Sequence, residues 1–203
     1  MGLGDFDAIP FSDLWEYNPT TNTWKRMADF PGTAKPFASC QIINNKAYFA
    51  FDFSSEFWEF DVATNKWTQK GDLPAGSKVN KGSFTLGNYG YYLLDDTQLQ
   101  FWRYDPSNDT WTTRSRFPGG WRDWGVGFAI NGYGFFGLAD KMGGDIRDMW
   151  KYDSTEDKWL KLADFPIPYT AFTLPFIAGN NGWFLLGSDI YMGVKLWKFN
   201  PFN

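Results

Sequence analysis

The chain has 203 residues, 43% of them hydrophobic and 21% aromatic, with 19 Lys plus Arg against 23 Asp plus Glu and a net charge of −4. That hydrophobic share with so small a charge excludes a disordered chain, and the charge balance gives no general pull toward nucleic acid or an anionic membrane surface. There is no His, which excludes a Ser-His-Asp triad, a His-bearing zinc or copper site and a His proton shuttle.

At the N-terminus, Met1-Gly2-Leu3-Gly4-Asp5 has neither a basic n-region nor an apolar h-region and does not read as a signal peptide. The first clear strand is centred on Trp15-Glu16-Tyr17. With a period of two, Trp15 and Tyr17 share one face and Glu16 takes the other. Asn18-Pro19 supplies the Asx and Pro of a turn. Trp24 then opens a second strand whose continuation, Lys25-Arg26, is charged, as suits an outer edge that must not pair with another chain. Phe30-Pro31 ends it. An apolar-rich strand is expected at 37–43; it holds Cys40, the single cysteine, which has no internal disulfide partner. After Asn44-Asn45 comes the strand AYFAF, 47–51. These last two strands are expected to be buried and innermost.

The same series then recurs. EFWEFDVATNKWTQKGDLP (56–74) leads to strands at 82–86 and 90–94, and QFWRYDPSNDTWTTRSRFP (100–118) to strands at 125–130 and 134–138. DMWKYDSTEDKWLKLADFP (148–166) leads to strands at 171–178 and 182–186, and KLWKFNPFN (195–203) begins a fifth copy. The first tryptophans are Trp15, Trp58, Trp102, Trp150 and Trp197; the second, Trp24, Trp67, Trp111 and Trp159, each follow by nine residues. Each copy therefore reads as four short strands, and no helical periodicity is sustained anywhere. No run of 18 apolar residues exists, so no membrane span is expected.

Spacing inside the repeat is uneven in one place. From each first Trp to the aromatic of the next AYFAF-type strand is always 33 residues, from Trp15 to Tyr48 through to Trp150 to Trp183. From that aromatic to the next first Trp is 10, 11, 15 and 14. All length variation thus lies in one loop class, and a loop that alone varies is where function can differ.

The pattern Asp-x-Trp-x-Tyr-Asp/Asn-Pro-x-Thr-Asn-x-Trp resembles the kelch motif, especially the kelch-type repeats of bacterial galactose-oxidase-like surface proteins. The resemblance covers residues 12–203 and is best at 13–31 and 100–118. It implies an all-β, kelch-type β-propeller of four to five four-stranded blades forming an incomplete or minimal ring. The expected organisation is a single domain, 1–203, with repeats at about 12–54, 55–98, 99–146 and 147–192 and a partial copy at 193–203. The glycine doublet usual in kelch repeats is replaced by Phe51-Asp52, Leu94-Asp95, Leu138-Ala139 and Leu186-Gly187, which leaves the backbone of that rim open. Three arrangements are compatible with the repeat. Either 12–30 completes the sheet begun by 171–187, or the chain is an open fragment of a longer propeller, or it completes a ring with a second copy as a homo-oligomer. The resemblance also implies an extracellular or cell-surface setting.

The family's copper chemistry does not carry over. It implies copper held by two His and two Tyr with a Cys–Tyr crosslink, and this sequence has no His and a lone Cys40. No metal, no cofactor and no catalytic residue are expected, and the chain reads as a non-enzymatic binding module for a protein or glycan, with no nucleic-acid partner. A metal-independent sugar-active enzyme built on carboxylates is the competing reading, though no carboxylate pair stands out by spacing. A propeller fragment, natural or engineered, whose main property is self-assembly is the third.

Two sets of residues are candidates for ligand contact. Lys35, Lys78 and Arg122, with Thr170 in the fourth copy, lie eleven residues after each second Trp, before the innermost strand. They form either an anion or polar-sugar funnel or structural ion pairs with the acidic residue two before a first Trp (Asp13, Glu56, Asp148). The loops of the same face supply the rest: Trp121 and Asp123, with Trp124 nearby; Asp140, Lys141, Asp145 and Arg147; Asp189 and Tyr191. Aromatic planes beside charged hydrogen-bonding groups suit a sugar ring or a peptide.

Overall fold

The computed structural model describes residues 2–6, 9–35, 38–51, 54–74, 80–94, 100–122, 125–139, 146–166, 173–186 and 195–200. The chain forms two compact units, Met1–Asn80 and Lys81–Asn203.

In the first unit, β1 (Asp5–Phe6) and β2 (Ile9–Pro10) make a short hairpin, and β3 (Trp15–Asn18) pairs with β4 (Thr23–Arg26). A four-stranded antiparallel sheet follows in chain order: β5 (Ala38–Ile43), β6 (Lys46–Phe51), β7 (Phe57–Asp61) and β8 (Lys66–Gln69). At the boundary begins the sheet of β9 (Asn80–Leu86), β10 (Tyr89–Leu94), β11 (Phe101–Asp105) and β12 (Thr110–Arg114). Then come β13 (Val126–Ile130), β14 (Tyr133–Ala139), β15 (Ile146–Asp153) and β16 (Lys158–Lys161), also one sheet. The last sheet has three strands, β17 (Thr173–Ala178), β18 (Asn181–Leu186) and β19 (Lys195–Phe199). The architecture is all-β and of propeller type, with each blade a four-stranded meander. Among the described residues three blades are complete, the hairpin β3–β4 carries third and fourth strands, and β17–β19 carries the first three. Among the described residues no helix is long and apolar enough to cross a membrane.

Turn chemistry explains the local folding. Asn18 Oδ1 accepts from the N–H groups of Thr20 and Thr21, and Asp61, Asp105 and Asp153 repeat the arrangement in the later copies. These are Asx turns, in which the side chain stands in for a backbone acceptor. The inner hairpins use residues with positive φ, such as Asn44 (50°) with Asn45 (62°), and Asn131 (48°) with Gly132 (81°). Both central residues in this region is the signature of the turn that matches strand twist.

The core lies between sheets. Phe84, Tyr91, Leu93 and Phe101 of the β9–β12 sheet pack against Phe136 and Tyr152 of the next sheet and Phe117 of the connecting segment. One sheet further on, Phe128, Phe135 and Met149 pack against Phe184, Phe165, Trp197 and Phe199. Each such side chain contributes about 1.5–3 kcal/mol on burial. Close approach sets the small residue of β14: a Cβ on Gly134 would lie 2.2 Å from the ring of Phe84.

The expectation that both inner strands are buried holds for the second strands β6, β10 and β14. It fails for β5, where Cys40 and Ile42 are exposed, and for β17, where Leu174, Phe176 and Ile177 are exposed and, among the described residues, no further sheet of that unit covers that side. At the rim where Leu138-Ala139 replaces the glycine doublet, the pairing of β14 with β15 shifts register between Gly137 and Ala139. The buried Leu138 takes a φ of 42° there, which costs about 1–2 kcal/mol for a residue with a side chain.

Candidate functional site

First and third strands of a blade run parallel with the second between them, so the segments that precede them meet at one end of the sheet. A basic residue ahead of the first strand therefore meets an acidic residue at the start of the third. In the first unit, Lys35 Nζ lies 2.8 Å from Glu56 Oε2 and donates to Ser54 Oγ at 2.6 Å. In the second, Arg122 binds Asp148 through both oxygens, Nη1 to Oδ1 at 2.6 Å and Nη2 to Oδ2 at 3.0 Å. Of the two arrangements that the sequence allows for these positions, the described residues adopt the ion pair.

The two pairs differ in depth. Lys35 and Glu56 are part-exposed, whereas Arg122 is 0% exposed. Its guanidinium lies over the rings of Phe117 (4.5 Å) and Phe136 (5.7 Å) and donates to the carbonyl oxygen of Gly119 at 2.5 Å. The planar fork of Arg suits this stacked, bidentate setting in a way that the point charge of Lys does not. Asp148 also accepts from Trp150 Nε1 at 2.8 Å, and Asp13 accepts from Trp15 Nε1 in the first copy. Glu56 is engaged by Lys35, and among the described residues the indole N–H of Trp58 finds no acceptor.

Arg122 clamps the short loop that leads into β13. Gly119 permits the approach, since a Cβ there would lie 2.2 Å from Arg122 Nη2. Gly120 turns the chain with a φ of 76°. Between Gly120 and the buried arginine stands Trp121, 41% exposed. The sequence therefore places an exposed indole on a loop anchored by a buried, fully engaged cation. Arg147, on β15, is exposed. Lys78, Asp123, Asp140, Lys141, Asp145, Asp189 and Tyr191 lie outside the described residues, as do Trp124 and Thr170.

One structural role escaped the sequence reading. The Asx two residues before each second Trp (Asn22, Asn65, Asp109, Asp157) has a φ of 52–56°, a conformation that Asn and Asp tolerate best among residues with side chains. In two of these copies, at Asn65 and Asp157, the side chain reaches the preceding blade. Asn65 Oδ1 accepts from Ala28 N–H and Trp67 Nε1 donates to the Ala28 carbonyl; Asp157 Oδ1 accepts from Ser115 N–H and Trp159 Nε1 donates to the Ser115 carbonyl. The tyrosine of the third strand adds to this clip: Tyr17 donates to Asn22, Tyr104 to Asp109 and Tyr152 to Asp157. Tyr152 also accepts from Arg114 Nε at 3.1 Å. Burial holds the Tyr152 hydroxyl well above the usual phenol range. Burial pushes the Asp157 carboxyl up, but the Tyr152 hydroxyl, the Ser115 N–H and the Arg114 charge outweigh it and hold the group below the usual carboxylate range. The motif marked the turn; the reach to a partner some forty residues away was not visible in it.

No family model matches this sequence, and no curated protein matches it. Among solved structures, that of YjhT, a propeller-type protein, is similar with a TM-score of 0.63 at 17% identity, over 76% of this chain and 59% of that one. At this identity the likeness is one of fold, a β-propeller. The chain spans 59% of the length of the YjhT structure.

Proposed function

We propose that this chain is a kelch-type, non-catalytic binding module that takes a protein or glycan ligand on the loops around Trp121. The observation that carries this reading is the exposed Trp121 indole held beside the buried Arg122 clamp. A pre-positioned aromatic plane loses little freedom on binding and stacks on a sugar ring or an apolar side chain. The repeat register bears on the loops holding Asp140, Lys141 and Asp145 and Asp189 and Tyr191 rather than on the Trp121 loop, because length changes only between second and third strands. On this reading Asp123, Asp140, Lys141, Asp145, Arg147, Asp189 and Tyr191 are the candidate polar contacts of the ligand, and Arg122 supports the Trp121 loop from within. An extracellular or cell-surface setting follows from the resemblance to kelch-type surface proteins.

The test is a glycan array together with a partner screen, followed by calorimetry with the wild type and Trp121→Ala. Loss of a central aromatic contact is expected to weaken binding by at least about 2 kcal/mol, near thirtyfold. An unchanged affinity would place the ligand elsewhere. Turnover of a bound glycan would favour the metal-independent sugar-active enzyme instead.

A further inference from the structure

The first unit holds an apolar groove of about 240 Å³ between β3–β4 and the β5–β8 sheet, walled by Leu14, Trp15, Met27, Ile42, Phe49 and Phe60. The matching spaces of the second unit are full. There Phe84 stacks on Tyr91 at 5.4 Å, and both rings meet Tyr152 at 6.4 and 5.6 Å. One sheet further on, Phe128 stacks on Phe135 at 5.4 Å, and both meet Phe199 at 5.9 and 5.5 Å. The filling pair always comes from the first two strands of a sheet. Among the described residues the hairpin β3–β4 has no such strands, and the second edge of β3 carries only the bridge from Gly2 to Leu14. Ala47, in the groove wall, stands where β14 and β18 have Gly134 and Gly182; a Cβ there would lie 2.2 Å from the ring of Phe84 and 3.1 Å from that of Phe128, so a ring entering over Ala47 must seat further out than Phe84 does over Gly134.

One stacked pair of this series has an exposed outer ring: Phe176 on β17, 41% exposed, stacks 6.4 Å from the half-buried Trp183 on β18. Its sheet has β19 in the third place, paired to β18. The sequence Leu196-Trp197-Lys198-Phe199-Asn200-Pro201 repeats Leu14-Trp15-Glu16-Tyr17-Asn18-Pro19 position by position.

We propose that the β3–β4 hairpin of one copy of this chain replaces β19 at the edge of β18 in a second copy, which seats Phe176 and Trp183 in the groove. The two strands offer β18 nearly the same side chains, so the exchange is close to balanced at that edge. What it adds is β4 as an outer strand, burial of Phe176 and Leu174, and a filled groove. Each copy carries both a hairpin to give and an edge to receive it, so the contact is head-to-tail and closes as a reciprocal dimer or small ring.

The experiment is sedimentation velocity across about 1–100 µM, where a reversible assembly changes mass with concentration. The wild type is expected to move from 23.4 kDa toward a multiple of it. Cys40, in the groove wall, is expected to react with a maleimide about tenfold more slowly when assembled, as a covered site does. Ile42→Lys blocks the groove and Phe176→Ser removes the plug; both residues are exposed in the chain, so both variants keep the fold. Each alone is expected to stay monomeric, and a mixture of the two, which retains one intact junction, is expected to dimerise. Leu196→Pro weakens the competing β19 and is expected to raise the assembled share. A wild type that stays monomeric throughout, or whose mass ignores both single variants, overturns the proposal. An assembled share unmoved or lowered by Leu196→Pro overturns the exchange.

Discussion

Tyr17 and Tyr152 hold the same place in the repeat. Each sits two residues after a first Trp and donates its hydroxyl to the Asx before the second, Asn22 at 2.9 Å and Asp157 at 2.6 Å. Yet Tyr152 is 0% exposed and Tyr17 is 44% exposed. The second tryptophans differ in the same sense, Trp159 half-buried and Trp24 exposed. Local sequence is nearly the same, so it does not set the difference. The sheet before it does: Phe84, Tyr91 and Phe101 cover Tyr152, and among the described residues of its own unit Tyr17 has no such cover. A blade buries its neighbour's aromatics rather than its own, as repeat architectures require.

The largest break in this comparison is expected at the two ion pairs. Arg122→Ala leaves Asp148 without its partner in a buried setting and is expected to lower unfolding stability in urea by about 4–5 kcal/mol. Lys35→Ala, at the part-exposed pair, is expected to lower it by about 1 kcal/mol or less. Equal effects would mean that depth does not separate them. Next come the tyrosines. Tyr152→Ala opens a cavity between two sheets and is expected to cost about 3–4 kcal/mol. Tyr17→Ala, in dilute solution, is expected to stay within about 1 kcal/mol.

A smaller effect separates the two inter-blade clips by pH. The Asp157 carboxyl titrates below its ordinary value in the folded chain. Its contribution is therefore whole above the ordinary carboxylate range and is lost as pH falls below about 4. The stability of the second unit is expected to decline on acidification in a way that Asp157→Asn reduces. Asn65 makes the same clip in the first unit without a titrating group. The smallest expected effect is chemical. The apolar groove walls desolvate the Cys40 thiol and push its pKa up to about 11, although its side chain is exposed. Alkylation of monomeric protein is expected to be slow at neutral pH and to keep rising to about pH 11. A plateau near pH 9 would show an ordinary, solvated thiol.

Much of the fold was legible because its signals are local. Period-two aromatics, Asx turns and Asn-Gly hairpins each act over a few residues, and the expected strands appear within one or two residues of their places. The alternation of basic and acidic positions also stated the ion pairs, since Lys35 with Glu56 and Arg122 with Asp148 are fixed by strand order. What was not legible depends on partners far along the chain. Nothing in KLWKFN distinguishes β19 as the third strand of a sheet from a redundant copy. Nothing in TNKW (64–67) shows that its asparagine is placed to meet a neighbouring blade. The exposure of Trp121 is likewise set by the burial of Arg122 beneath it, which required Phe117, Phe136 and Asp148 to be in place.

The most direct test of neighbour-supplied burial is hydrogen exchange, followed by mass spectrometry, on the peptides covering 15–26 and 146–161 of the same dilute sample. The account predicts fast exchange across β3–β4, strong protection across β15–β16, and protection of β3–β4 that appears only as concentration rises. Equal protection of both hairpins in dilute, monomeric protein would contradict it.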